Sequence, residues 1–170
     1  MSDAGAIALT GLLDEGLDGW LGLPPGQPPE AYAPVVDAPG EDPAMGDLGM
    51  RKALIRFGEL KPAGVPAELW VSPHDAAVWM LAIDDPPFAG APTAVRERLG
   101  EPALILDSAR GTVALPGSEW VYPGRDLTVF VEVPENRVWR VALFPASSAG
   151  DYAELYRARI GQRRLPLPDL

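Results

Sequence analysis

Cysteine is absent from this chain of 170 residues, and His74 is its single histidine. Without cysteine, the protein can form no disulfide, present no thiolate nucleophile and offer no thiolate ligand to a metal ion. One histidine gives little support for a transition-metal site, because such sites draw mainly on imidazole and thiolate ligands. The acidic pairs Glu41-Asp42 and Asp84-Asp85 match no calcium loop. We therefore expect neither a metal site nor a cofactor.

The usual sequence signatures of catalysis are also missing. No serine lies in a nucleophile elbow, and no glycine-rich phosphate loop occurs. His74 stands beside Asp75 in a predicted turn, where an isolated histidine is usually solvated. Hydrolysis by paired carboxylates stays open, although no apolar surroundings for an acid are indicated. The sequence therefore favours a protein that is not an enzyme.

Long hydrophobic runs are absent as well. The roughly 18 consecutive apolar residues that suggest a membrane-spanning helix occur nowhere in the chain. Residues 1–5 show neither the basic region nor the apolar run of a secretion signal. We expect a soluble cytoplasmic protein that contacts no membrane. Its length suits one domain or two small repeats.

Basic residues are missing from the first part of the chain. Residues 1–47 contain nine acidic residues and no lysine or arginine, and the whole protein has a net charge of −10. Such a chain is repelled by phosphate backbones, so we expect no binding of nucleic acid. Solubility alone would explain the acidic half, and a basic protein partner is the alternative interpretation. Arginine outnumbers lysine by twelve to two, which is typical of a GC-rich bacterial genome.

Hydrophobic periodicity and turn residues predict the helices and strands. Helices are expected over residues 3–21, over residues 94–99 with Thr93 as the N-cap, and after Ser148 near the C-terminus. Strands are expected over residues 33–37, 50–57, 68–71 and 78–83 in the first half, and 103–107, 119–122, 127–133 and 138–144 in the second. Residues 39–49 are rich in proline, glycine and acids and are predicted to form an irregular loop.

Two stretches of the sequence echo each other. Val78-Trp79 and Val138-Trp139 each follow a strand end and a polar turn that contains proline. A Leu-Gly-x-Pro pattern, at residues 21–24 and 99–102, precedes each of them, with a longer interval in the first half. We therefore predict an α+β fold made of two tandem repeats, residues 1–90 and 91–170. Each repeat is a helix plus a four-stranded antiparallel meander, with the helices on one sheet face and an acidic insert at residues 37–49.

The second half of the chain also carries a family-like pattern, Leu99-Gly100-Glu101-Pro102, Trp120-Val121-Tyr122, residues 127–132 and residues 137–141. This pattern resembles the SmpA/OmlA unit, in which a helix ending in LGxP precedes a WxY strand and a valine-rich hairpin. The tandem arrangement is similar to the architecture of the β-lactamase-inhibitor proteins. The resemblance covers residues 93–144, and residues 12–83 more weakly. It implies a non-catalytic scaffold that binds proteins, although the chain lacks the lipoprotein cysteine and the secretion signal of those families.

Strand alternation assigns the side chains to two sheet faces. The face toward the helices is predicted to hold Leu127, Val129, Val131 and Val133 with Trp139, Val141 and Leu143, and in the first half Val71, Trp79, Leu81 and Ile83. The opposite face then presents aromatic, methionine and arginine side chains, the types enriched at binding hot spots. A second core on that face is the alternative. The candidate protein-binding residues are Trp70, Met80, Phe130 and Arg140 on the sheet, and Asp37, Glu41, Asp42 and Asp47 in the acidic insert.

The leading hypothesis is a cytoplasmic immunity or inhibitor protein that occludes a toxin or an enzyme and performs no chemistry. No basic residue accompanies the acids of the insert, so we expect their charges to repel one another until a basic partner binds. One alternative is an accessory or assembly scaffold that uses the same sheet face. The other is a small-molecule-binding protein with a cavity between the sheet and the helices. The oligomeric state stays open.

Overall fold

The computed structural model describes residues 25–37, 43–61, 64–86, 92–110, 115–145 and 148–158. The predicted helix over residues 3–21 lies outside these residues, as do Glu41 and Asp42. The described strands are β1 Val36–Asp37, β2 Ala44–Leu48, β3 Arg51–Leu60, β4 Val65–Val71, β5 Val78–Asp84, β6 Leu104–Arg110, β7 Leu115–Tyr122, β8 Leu127–Glu132 and β9 Arg137–Leu143. The described helical segments are α1 Pro92–Leu99, α2 Ala149–Asp151 with a π-helical turn Tyr152–Tyr156, and 3₁₀ turns at Pro29–Tyr32 and Pro123–Arg125.

The nine strands form one antiparallel sheet. Their order is β1-β3-β4-β5-β9-β8-β7-β6, and β2 also pairs with β3, on the part of that strand that β1 leaves free. The junction between the two halves of the chain is β5 with β9, where Leu81 lies opposite Leu143 and Asp84 opposite Arg140. The strands predicted for the second half coincide with β6 to β9. The division of the chain between residues 90 and 91 stays a prediction.

The predicted α+β fold of tandem repeats, each a helix plus a four-stranded meander, is wrong. Among the described residues, the structure is mostly one antiparallel sheet with two short helices. The pairing of β5 with β9 merges the strands of both halves, so no described meander stands alone. The helices do not share one face either. Val95 of α1 packs on one side of the sheet, whereas the hydroxyl of Tyr152, after α2, reaches Glu119 on the other.

Strand β2 replaces part of the predicted acidic loop. It pairs in register with β3, from Ala44 opposite Ile55 to Leu48 opposite Arg51. The two-residue turn Gly49-Met50 closes this hairpin, and Gly49 has φ +57°, a left-handed conformation that glycine adopts without steric cost. The prediction of an irregular loop over residues 39–49 is therefore wrong from Ala44 onward. The glycine and acidic residues of this stretch are typical of loops, but here they form a strand and a hairpin turn.

Apolar side chains cover both faces of the sheet. The first-face cluster includes Leu69, Val71, Leu81, Ile83, Leu127, Val129, Val131, Val141 and Leu143, packed with Tyr32 and Val95. The second-face cluster consists of Leu48, Ala53, Ile55, Trp70, Met80, Ala82, Phe130, Trp139, Ala142 and Ala158. The first-face prediction is confirmed for the aliphatic residues of β8, but Val133 follows the strand and is exposed.

Trp79 and Trp139 lie on the opposite face from the predicted one, because each hairpin contains a β-bulge. Trp70 pairs with Met80, and the next pair skips Trp79. The β8–β9 hairpin skips Trp139 in the same way. One extra residue reverses the alternation of side chains, so both tryptophans pack with the second-face cluster.

The echoed sequences nevertheless form equivalent local structures. Ala76 and Asn136 each stand two residues before a Val-Trp pair, and both have a left-handed backbone, with φ of 57° and 47°. A non-glycine residue in this region is uncommon and is typically found in tight turns. The sequence echo therefore reports two similar hairpins, each with a bulge at its tryptophan.

The sheet curls around its second face. Arg157, just after the π-helical turn, contacts both ends of the sheet. Its carbonyl oxygen accepts from Gly49 N, in the β2–β3 turn, at 2.8 Å. Its guanidinium donates to Asp107 O on β6, the strand at the opposite edge. In a flat sheet these groups would be separated by several strand spacings of about 4.8 Å each. The second face is therefore the inside of the curl, and its side chains are enclosed.

Candidate protein-binding site

The four sheet residues predicted to bind a partner lie on the enclosed face. Trp70, Met80, Phe130 and Arg140 are between 1% and 6% exposed. A partner cannot reach side chains buried to this extent unless the groups that cover them move. Burial indicates that they form part of a second core, the alternative that the alternation pattern left open. A role for them in binding stays a prediction.

Arg140 belongs to a closed network of charges on this face. Its Nη1 and Nη2 donate to the two carboxylate oxygens of Glu68 at 3.2 and 2.9 Å, and its Nε and Nη2 donate to Asp84. Trp70 Nε1 also donates to Glu68, at 2.9 Å. Burial disfavours the cation, but the attraction of Glu68 and the hydrogen bonds to Asp84 outweigh it and raise the pKa of Arg140. All three guanidinium nitrogens are engaged within the protein.

Two acids of the predicted insert, Asp37 and Asp47, are placed next to lysines. Asp47 accepts a hydrogen bond from Lys52 Nζ, and Asp37 Oδ1 lies 3.8 Å from Lys61 Nζ. The expectation that these acids lack nearby cations is therefore wrong for Asp37 and Asp47, because β3 brings both lysines alongside them. Exposed pairs of this kind contribute about 0–1 kcal/mol each, so they neutralise the local field more than they stabilise the fold.

Two methionines on the β2–β3 hairpin are the most exposed large apolar side chains among the described residues. Met45 is 61% exposed on β2, and Met50 is 84% exposed in the turn. Asp47 lies between them on β2. We call Met45, Asp47 and Met50 the hairpin tip. Methionine is flexible and polarisable, it is enriched at interfaces, and it adapts to the shape of a partner.

The hairpin tip stands on tightly packed residues. Leu48 is fully buried, and a Cβ at Gly46 would lie 2.6 Å from atoms of Ile55 and Trp70. Sequence reasoning assigned Asp47 to a candidate site but missed both methionines. The signal that could have revealed them is the alternation of Met45 and Asp47 with Gly46 and Leu48, followed by a Gly-Met turn.

Residues 148–158, which we call the C-terminal strap, close the curl of the sheet. Ser148 and Asp151 form a capping box that begins the helical part, as the sequence predicts for Ser148. The π-helical turn then ends with Arg157 N donating to Tyr152 O at 2.9 Å. Tyr152 is fully buried, and its ring centroid lies 4.8 Å from that of Phe144.

A buried carboxylate on β7 holds the strap. Glu119 is 3% exposed, and it accepts from Tyr152 Oη and from Arg157 Nε, both at 3.1 Å. Burial raises the pKa of Glu119, although the attraction of Arg157 and both hydrogen bonds lower it in part. Burial also raises the pKa of Tyr152 well above its usual range, so the phenol stays a hydrogen-bond donor.

Replacing Glu119 by glutamine is expected to change how stability depends on pH. Because the pKa of Glu119 is raised in the folded protein, the native state holds this proton more readily than the unfolded chain does. Stability from this group therefore increases as the pH falls through the folded pKa, and is lost as the pH rises through it. Glu119→Gln keeps an oxygen that accepts from Tyr152 but takes up no proton.

Urea unfolding of both proteins at a series of pH values from neutral to mildly acidic measures this contribution. The unfolding free energy of the wild type, minus that of Glu119→Gln, should increase as the pH falls. A difference that decreases on acidification would show that the attraction of Arg157 outweighs the cost of burying the Glu119 carboxylate.

No family model, no curated protein and no solved structure matches this chain. The resemblance of residues 93–144 to the SmpA/OmlA unit therefore stays a prediction. Within the described ranges, no helix has the length and apolar character needed to cross a membrane. Across the same residues, no three histidine or acidic side chains come together as a metal site would require.

Proposed function

We propose that the protein is a non-enzymatic binding protein of the cytoplasm, of the bacterial immunity or inhibitor type. It occludes a basic protein partner, a toxin or an enzyme, through the hairpin tip. The observation that carries this proposal is the exposure of Met45 and Met50 on one hairpin that is packed onto the sheet through its buried residues Leu48, Ala53 and Ile55. An isolated apolar side chain on a surface needs no explanation, but two exposed methionines on one hairpin offer a partner two apolar side chains to bury.

The packing beneath the hairpin tip supports binding without a large entropic cost. Gly46 fits against Trp70 and Ile55, and Leu48 is buried, so the backbone that carries both methionines is already in place. A contact that is ordered before binding loses less conformational entropy when a partner docks. Only the methionine side chains then need to adapt, and methionine does so readily.

The net charge of −10 supports a basic partner. Asp37 and Asp47 are each paired with a lysine, so attraction comes from the field of the whole molecule more than from these two acids. Such a field raises the rate of association and weakens as salt is added. The apolar contact of Met45 and Met50 would then govern how slowly the complex dissociates.

The double variant Met45→Ser/Met50→Ser tests this proposal. Burying a methionine side chain contributes about 1.5–3 kcal/mol, so losing both should weaken partner binding by roughly a hundredfold or more. Folding should be unaffected, because both side chains are exposed. The partner is captured from the native host with the wild-type protein and purified, and its affinity for both proteins is measured by calorimetry.

Val133→Ser is the matched control. Val133 is also an exposed apolar side chain, but it lies in the β8–β9 turn, away from the hairpin tip. It should bind the partner as tightly as the wild type. Equal affinity of the double methionine variant and the wild type would contradict the proposal. A partner that keeps its full activity in the complex would favour an accessory or assembly scaffold in place of an inhibitor.

A further inference from the structure

The C-terminal strap contributes backbone atoms to its hydrogen bonds with the hairpin. Gly49 N donates to Arg157 O at 2.8 Å, and Leu48 and Ala158 form an antiparallel bridge. Arg51 Nη2 donates to Leu155 O at 2.9 Å. The strap thus continues the hydrogen bonding of the hairpin on its outer side, next to the turn that carries Met50.

The contact at Gly49 depends on the absence of a side chain. A Cβ at this position would lie 2.0 Å from the carbonyl oxygen of Glu154 and 2.8 Å from the Cα of Leu155. Backbone atoms cannot give way as a flexible side chain can. The strap and the hairpin turn are therefore packed directly on each other, so a movement of one requires a movement of the other.

The other attachment of the strap lies across the curl. Arg157 donates from Nε to Glu119 on β7 and from Nη2 to the carbonyl oxygen of Asp107 on β6. Tyr152 donates to the same carboxylate. One residue, Arg157, therefore joins the two sides: its guanidinium is held by β6 and β7, and its carbonyl oxygen holds the turn at Gly49.

We infer that the strap is a latch that controls the hairpin tip: when Arg157 leaves Glu119, the turn at Gly49 loses its anchor and the hairpin becomes mobile. Release also opens the curl beside the second-face cluster, because the strap covers Leu48 and Phe144. The latch adds a means of control to the proposed binding site. One of its consequences, that a mobile hairpin binds the partner less tightly, rests on the proposed function.

Native-state hydrogen exchange of the Gly49 amide tests the latch without any partner. Arg157→Ala removes both guanidinium contacts and leaves the backbone intact. We expect it to accelerate exchange at Gly49 by at least tenfold, while the amide of Val141, between β5 and β8 in the sheet, keeps its wild-type rate. The matched control is Arg56→Ala, which breaks an exposed pair with Glu30 at 3.6 Å and should change neither amide.

Two results would overturn the latch. One is an unchanged exchange rate at Gly49 in Arg157→Ala, and the other is an equal acceleration at Gly49 and Val141, which would show only a loss of global stability. Glu119→Gln serves as the second variant. It keeps the shape of the side chain and one of the two acceptor oxygens but removes the charge that attracts Arg157, so a smaller but still selective acceleration at Gly49 is expected. If Arg157→Ala does not fold, the exchange rates of Gly49 and Val141 in Glu119→Gln test the latch in the same way.

Binding measurements separate the latch from the proposed function. If Arg157→Ala accelerates exchange at Gly49 but Met45→Ser/Met50→Ser binds the partner with wild-type affinity, the hairpin tip is not the binding site and the proposed function fails, while the latch stands. If Met45→Ser/Met50→Ser loses binding but Gly49 exchange does not respond to Arg157→Ala, the latch fails and the proposed function stands. Selective exchange at Gly49 together with weaker binding supports both.

Discussion

Trp139→Ala is expected to lower the free energy of unfolding by about 3–5 kcal/mol, the usual cost of truncating a buried aromatic side chain. The indole is buried inside the curl, with its ring centroid 5.6 Å from that of Phe130. The guanidinium of Arg140 lies 5.2 Å from the ring. Alanine would leave a cavity that the hydrogen-bonded sheet around it cannot close. Urea denaturation, followed by circular dichroism, measures the loss.

Trp79 provides the matched comparison, because it occupies the equivalent bulge in the β4–β5 hairpin. It is only partly buried, with the guanidinium of Arg51 4.1 Å from its ring centroid. Trp79→Ala should therefore cost less than Trp139→Ala. A loss below about 1 kcal/mol for Trp139→Ala would contradict the placement of its indole in the second core.

Local sequence signals were sufficient for most of the strands. The alternation in β8 assigned Leu127, Val129 and Val131 to the correct face, because hydrophobic pattern and pleat have the same period of two. The repeated Val-Trp pairs indicated two similar hairpins. Alternation failed at each tryptophan, since a bulge inserts one unpaired residue and nothing in the Val-Trp pair itself signals that insertion.

Local sequence patterns do not predict which distant strands pair with each other. The junction of β5 with β9 and the closure by Arg157 depend on how a twisted sheet bends as a whole, which no short stretch specifies. Curling encloses the second face, and for that reason Trp70, Met80 and Phe130 are buried although the polar residues Glu68, Thr128 and Glu132 share that face with them. Alternation places Trp70, Met80 and Phe130 on one face, as the structure does, and the enclosure of that face corresponds to the second core that the pattern left open.

Local sequence patterns also fail to predict which basic side chains lie beside the acidic ones. Residues 1–47 contain no basic residue, so a reading of neighbours along the chain leaves their acids unopposed. Strand pairing brings Lys52 to Asp47 across a tight hairpin, and Lys61 to Asp37 where β1 meets the end of β3. The exposed methionines are hard to predict for a related reason, since the composition of residues 39–49 indicates a loop where the structure has strand β2 and the hairpin turn.

The alternation pattern places Arg140 on an open face, where Arg140→Ala and Trp70→Ala would barely affect folding. The structure predicts a large effect for Arg140, because Arg140 is buried and holds Glu68 on β4 and Asp84 on β5. Arg140→Ala would leave both carboxylates without their cation on an enclosed face. Breaking a buried ion pair by removing one partner costs about 3–5 kcal/mol, a large part of the stability of a typical domain.

Two variants separate the loss of the charge pair from the loss of packing. In Arg140→Met/Glu68→Gln/Asp84→Asn the charges are removed together, and most of the stability lost in Arg140→Ala should return, because neutral groups are far less costly to bury. Arg56→Ala is the exposed control: Arg56 lies 3.6 Å from Glu30, and the two side chains are 40% and 73% exposed. It should cost about 1 kcal/mol or less. Urea unfolding at neutral pH ranks the four proteins, and equal losses in Arg56→Ala and Arg140→Ala would mean that burial does not govern the strength of this network.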